Sequence, residues 1–191
     1  MKTIKKICIW LGAALLIATA IALIGWIWNV HSWAQKSADY AQTISAQIPA
    51  PQDAALEERT NNAMPLLSIE GTDFVGILEM PRFGSALPVG ANWGKVSHYP
   101  CRFDGSAYDR TLQLGATTQK GQYDFYREIS VGDSISFTDM EGNRYQYAVA
   151  DIRYESHADQ AALTKKDADL TLFIKNIYAS EYIILFCDAL G

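Results

Sequence analysis

Asp169-Leu170-Thr171-Leu172-Phe173-Ile174-Lys175, followed after a short polar break by Tyr182-Ile183-Ile184-Leu185-Phe186-Cys187, is the stretch whose reading decides the fold. Each run is of strand length, apolar and rich in β-branched or aromatic side chains, and reads as a buried strand. Working back along the chain, the same period recurs. Phe74-Val75-Gly76-Ile77-Leu78-Glu79-Met80 reads as a strand stopped by Pro81, and Ala86-Leu87-Pro88-Val89 as a short second one. Leu112 and Leu114, then Ile135 and Phe137, then Tyr145, Tyr147 and Val149 alternate as half-buried strands do. Val131-Gly132-Asp133 and Asp139-Met140-Glu141-Gly142-Asn143 supply turn chemistry between them. Gln122 to Ile129 is the one segment here that reads as a short helix. Many short strands joined by glycine-bearing turns predict a mainly β fold, a closed antiparallel barrel with short helices.

The N-terminal third is different. Ile7 to Trp28 is an uncharged apolar run, long enough to cross about 30 Å of hydrocarbon at about 1.5 Å per residue. Lys2, Lys5 and Lys6 precede it, and few strong bases follow it closely, so the positive-inside rule places the N-terminus in the cytoplasm and the rest outside. Ala18-Thr19-Ala20 mimics a signal-peptidase site, but Leu23, Ile24, Trp26 and Ile27 extend the run past the usual core of a signal. The retained anchor is the favoured reading. Trp26, Trp28 and Trp33 suit either the outer lipid interface or ordinary apolar packing. His31 to Gln47 carries Ala34, Ala38, Ala41, Ile44 and Ile48 at helical spacing, stopped by Pro49 and Pro51. The expected organisation is a cytoplasmic tail over 1–6, a span over 7–28, a helical stalk and linker over 29–72 that holds the domain clear of the bilayer, and a barrel over 73–191.

Without the three lysines before the span, 13 basic residues face 21 acidic ones, a net charge of −8. That balance argues against nucleic-acid binding, which needs a cationic footprint. Cys101 and Cys187 are the only cysteines beyond the span. An even pair outside the cell is a candidate disulfide, with two separate structural thiols as the alternative. The three histidines lack zinc-type spacing and no phosphate-binding glycine loop occurs, so neither a metal nor a cofactor is expected.

The order of segments resembles the sortases, membrane-anchored cysteine transpeptidases of Gram-positive bacteria. The likeness runs over roughly Phe74 to Cys187. Its landmarks are Val75-Gly76-Ile77-Leu78-Glu79-Met80-Pro81, Leu87-Pro88-Val89 and Ser97-His98-Tyr99-Pro100, then Val131-Gly132-Asp133-Ser134-Ile135, Gly142-Asn143-Arg144-Tyr145-Gln146-Tyr147 and Leu170-Thr171-Leu172. In that family a strand ends in Thr-Leu-x-Thr-Cys; here the cysteine position is Lys175. The strand Thr111-Leu112-Gln113-Leu114-Gly115-Ala116-Thr117 resembles the one ending in the family histidine, and that position is Thr117. The family arginine falls at Tyr182, with Glu181 as the alternative.

Such an enzyme needs a thiolate to attack a peptide carbonyl, a histidine to move protons and an arginine to stabilise the oxyanion. Acylating Lys175 gives a stable amide, Thr117 has no titration near neutrality, and Tyr182 carries no positive charge. The resemblance therefore implies a degenerate, catalytically inactive sortase, an accessory module in cell-wall anchoring or pilus assembly. Its partners would be the membrane, a sorting-signal-like peptide or a pilin, and an active sortase. His98, Thr117, Lys175 and Tyr182 mark the residual cleft. The competing expectation is a working transpeptidase or hydrolase using Cys101 with His98 and Arg102 nearby, or Thr117 with Lys175. His157 reads as solvated. Asp151, Glu155, Asp159, Asp167 and Asp169, near a loop where some sortases hold calcium, read as a solvated loop rather than an ion site.

Overall fold

A computed structural model describes residues 2–53, 62–156 and 168–190, with no side-chain description before residue 9. A single helix, α1 (Lys2–Gln47), leads into ten strands: β1 (Gln52–Asp53), β2 (Leu67–Ile69), β3 (Thr72–Met80), β4 (Ser85–Gly90), β5 (Cys101–Asp104), β6 (Leu112–Thr117), β7 (Ser134–Asp139), β8 (Asn143–Glu155), β9 (Leu170–Asn176) and β10 (Glu181–Ala189). Eight of them close a ring in the order β3-β4-β5-β6-β9-β10-β8-β7, with β7 returning to β3. β1 and β2 extend the sheet beside β8 and β3. The expected closed barrel is present, but it is mixed. β6 runs parallel to β9, and β4 meets β5 in parallel at Gly90 and Cys101.

Alternation along each strand divides the apolar residues between two faces. Leu112, Leu114 and Ala116 of β6 point inward, as do Leu170, Leu172 and Ile174 of β9 and Ile183, Leu185 and Cys187 of β10. Leu78, Ile135, Phe137, Tyr147 and Val149 complete the same interior. The outer face of β9 and β10 carries its own small cluster, Phe173, Ile184 and Phe186. β9 is thus buried on both faces until Lys175, which is exposed.

The helix has two halves. Ile9 to Trp28 is exposed on every side, as a membrane span or signal sequence would be. Beyond it, Ser37, Tyr40, Ala41 and Ile44 form a buried stripe at three- to four-residue spacing. Tyr40 and Ile44 join Phe74, Ile77, Tyr99 and Cys101 in a second apolar cluster outside the barrel. The segment read as a stalk is helical to Gln47, continuous with the apolar segment, and packed on the barrel wall. Burial of this stripe outweighs the freedom an unattached stalk would keep. Trp33 is drawn into the same packing, its ring stacked on His98 at 3.7 Å.

The helix expected at Gln122–Ile129 is replaced by turns and one 3₁₀ turn at Tyr126–Glu128. Its bonds run three residues back, Gln122 N–H to Gln119 O, Tyr126 N–H to Tyr123 O and Glu128 N–H to Phe125 O. At the other expected turn, the buried Asp139 carboxylate accepts from Glu141 N, Asn143 N, Asn143 Nδ2 and the Tyr108 hydroxyl. Four donors satisfy an anion that would otherwise be too costly to bury.

Candidate functional site

Backbone register assembles the site. Thr117 is opposite Lys175 across the parallel β6–β9 seam, and Lys175 is opposite Tyr182 across β9–β10. The three side chains therefore form one row on the outer face, at the end of the barrel where β6 and β9 stop and β10 begins. Glu181, the alternative to Tyr182, pairs one step further on with Asn176 and accepts a 3.3 Å bond from its amide.

The turn after β6 fixes the row's upper edge. Thr117 is almost fully buried; its N–H donates to Gln122 Oε1 at 3.2 Å, and its hydroxyl accepts the Gln119 N–H at 3.3 Å. Gln122 Nε2 reaches Val96 O at 3.3 Å, which ties the loop before β5 to this end of the barrel. Thr118 N–H donates to Lys175 O at 3.0 Å, and the Thr118 hydroxyl accepts from Ile177 N–H at 3.1 Å. Thr117 thus serves as a turn anchor beside an exposed lysine. Among the described residues Lys175 forms no ion pair.

The other candidate trio is not assembled. Cys101 is fully buried; its thiol points to Tyr99 O at 3.5 Å, and burial pushes its pKa to about 12. It holds no thiolate near neutrality, as a nucleophile would need. Arg102 Nε is committed to Gly105 O at 2.7 Å. The His98 ring lies against Trp33, with its Nδ1 buried and without a hydrogen-bond partner. Burial, aided by the Lys95 charge, holds its pKa below the ordinary 6.5. Cys101 and Cys187 do not form the candidate disulfide. Both thiols are free, Cys187 inside the barrel and Cys101 in the cluster under α1, in separate apolar clusters.

His98 yields a measurable consequence. An imidazole whose pKa is lower folded than unfolded binds fewer protons in the native state, so stability rises with pH across that window. Acidification from about pH 7.5 to 5 should destabilise the protein as solution pH falls through the unfolded value near 6.5 toward the lower folded one. Urea titrations of His98→Phe should show a visibly flatter pH dependence than the parent; identical profiles would contradict this.

Of the acidic residues near β9, Asp159 and Asp167 lie outside the described residues, as does His157. Asp151 pairs with Arg153 at 2.9 Å, and Asp169 accepts the Ala189 N–H at 2.7 Å. Among the described residues no group of three or more potential ligands gathers.

One feature of this face was missed in the sequence. Trp93, Phe103 and Phe173 pack edge to face beside the row, with Trp93 and Phe103 each more than two-fifths exposed. The Trp93 ring lies directly over Gly115, where a Cβ would come within 2.2 Å of it. A glycine inside a buried strand pattern was the available signal, since it marks close approach by another group. The result is an aromatic floor on the outer face of β6 and β9, two residues back along each strand from Thr117 and Lys175.

No family model matches the sequence, and no curated protein matches it. Solved structures do match by fold. Sortase A from Corynebacterium diphtheriae superposes with a TM-score of 0.55 at 16% identity, covering 85% of this chain and 84% of that one. Sortase C1 from Streptococcus agalactiae gives 0.54 at 19% identity, over 65% of this chain and 71% of that one. Sortase C1 from Streptococcus suis gives 0.53 at 17%, over 62% and 73%. The chain has a sortase-like fold.

Proposed function

We propose that this chain is an anchored, extracellular, degenerate member of the sortase family that binds an extended sorting-signal-like peptide without cleaving it, as an accessory in cell-surface protein anchoring or pilus assembly. The observation that carries the reading is the row itself. Where the resemblance calls for histidine, cysteine and arginine on three neighbouring strands, register aligns Thr117, Lys175 and Tyr182. The aromatic floor beside them supplies apolar surface for side chains of an extended peptide, a common basis of such recognition. Cys101 does not offer a second nucleophile, because its thiol is buried and protonated.

The test is calorimetric titration of the full chain in nanodiscs with a sorting-signal-like peptide. Saturable binding is expected, weakened about tenfold by Trp93→Ala, the cost of removing one aromatic anchor of roughly 1.4 kcal/mol. A flat titration would favour a purely structural envelope protein. Acyl transfer from the peptide to an added amine, lost on Lys175→Ala, would replace the accessory role with an enzymatic one.

A further inference from the structure

We propose that the site-bearing end of the barrel is seated in the outer interface of the bilayer, and that the groove between it and α1 holds a phospholipid. This rests on the reading of α1 as a retained anchor. The groove has a volume of about 490 Å³ and is lined from one side by Ile24, Trp26, Ile27, Trp28, Val30 and His31 of α1, and from the other by Lys120 and Tyr178. Its α1 wall is the last stretch of the apolar run together with Val30 and His31 just beyond it. A span beginning at residue 7 uses up about 30 Å of hydrocarbon by residue 27, so these residues lie where acyl chains give way to headgroups. The groove is therefore continuous with the lipid rather than with bulk water.

The barrel is held at that height by packing, not by a loose tether. α1 is unbroken from the apolar run to Gln47, and one stripe of its outer half, Ser37, Tyr40, Ala41 and Ile44, is buried against the barrel. Gly121 abuts Ala34 so closely that a Cβ would lie 2.5 Å from the alanine methyl. Two turns, 118–121 and 177–180, are consequently fixed beside the end of the span.

Their chemistry suits the level at which they sit. Tyr178 is 73% exposed and Ile177 is 37% exposed, both on the β9–β10 turn. An amphipathic phenol and an aliphatic side chain are favoured at the headgroup boundary, where indoles such as Trp26 and Trp28 also partition. Lys120 is the one charged residue of the 118–121 turn, and the 177–180 turn carries no charge. With no acid in either turn, the Lys120 ammonium is the group within them that can meet a lipid phosphate.

The experiment uses the full chain with Cys8→Ala, reconstituted in vesicles of phosphatidylglycerol and phosphatidylcholine, and spin-labelled at Tyr178→Cys, Val131→Cys or Leu16→Cys in turn. Cys101 and Cys187 are buried and protected from the label. Val131 is exposed and lies at the opposite end of β10, since Gly132 N–H donates to Val149 O and Val149 pairs with Cys187. Collision with a water-soluble nickel chelate should be several-fold lower at residue 178 than at residue 131, with oxygen collision higher. Equal chelate access at 178 and 131, with residue 16 buried in lipid, would overturn the seating while leaving the anchor intact. A water-exposed label at residue 16 would overturn the anchor and the seating together. Adding Lys120→Glu should raise chelate access at residue 178 in the same vesicles; unchanged access would overturn the phospholipid assignment.

Discussion

The triple variant Thr117→His, Lys175→Cys, Tyr182→Arg is expected to cleave one amide bond of a sorting-signal-like peptide, releasing the C-terminal fragment as its amine and keeping the acyl part as a thioester at residue 175, where the parent chain forms none. The reasoning is positional. The three residues are already direct neighbours across two strand seams, Thr117 with Lys175 and Lys175 with Tyr182. Lys175 is exposed, so a cysteine there would be reachable by a peptide and by a second amine. Loss of a nucleophile in acyl-transfer catalysis costs on the order of 10⁶ in turnover, and an unrefined reconstruction should recover about 10³ of it. Intact-mass spectrometry reads the adduct directly, and dependence on the arginine separates oxyanion stabilisation from simple thiol reactivity. A folded triple variant that stays unmodified would sink the claim that the family geometry survives in this row.

The second large effect concerns stability. Gly76→Ala should lower the unfolding free energy by about 3 kcal/mol, at the upper end of the cost of overpacking. Gly76 sits on β3 opposite Asp139 of β7, in a seam required to close the barrel. An added Cβ would fall 2.4 Å from the Thr138 carbonyl oxygen and 2.5 Å from the Phe137 ring. An exposed ring would swing aside, but Phe137 is fully buried and the carbonyl belongs to the backbone. Relief would require the seam to open. Gly94→Ala is the matched control, because a Cβ there meets nothing within 4 Å. Urea midpoints should separate the two variants clearly; equal midpoints would contradict the clash.

The first of these arguments uses a face that the sequence made only partly legible. β9 and β10 were readable as short, nearly continuous apolar runs of strand length, because the outward Phe173, Ile184 and Phe186 are apolar as well as the inward residues. The parallel seam between β6 and β9 was not readable from period. It joins Thr117 to Lys175, far apart in sequence, and no local signal distinguishes a parallel neighbour from an antiparallel one. Gln122–Ile129 misled for a related reason. Tyr123, Tyr126 and Ile129 recur at a helical interval because all three enter the barrel core. Their backbone is governed by tertiary bonds: Tyr123 N–H donates to Thr117 O, and Gln122 holds both Thr117 and Val96. Trp93 escaped notice because its partners, Phe103, Gly115 and Phe173, come from three separate strands.

The disulfide expectation failed on geometry rather than on redox logic. Cys101 belongs to a strand whose outward residue is covered by α1, whereas Cys187 faces the barrel interior. A strand wall lies between opposite faces of a sheet, and alternation alone decides which side each thiol takes. Nothing in the count or spacing of two cysteines carries that information.

The strand last in sequence, β10, lies between β8 and β9 and is hydrogen-bonded along both edges. It acts as the keystone of an arch. During synthesis from the N-terminus, β8 and β9 each present a bare edge until residues 181–189 arrive, and bare edges invite pairing with other chains. The Thr117–Lys175–Tyr182 row is complete only at that same moment. A nascent chain therefore passes through its most association-prone interval just before that row exists, and a helper that shields strand edges would act in that interval.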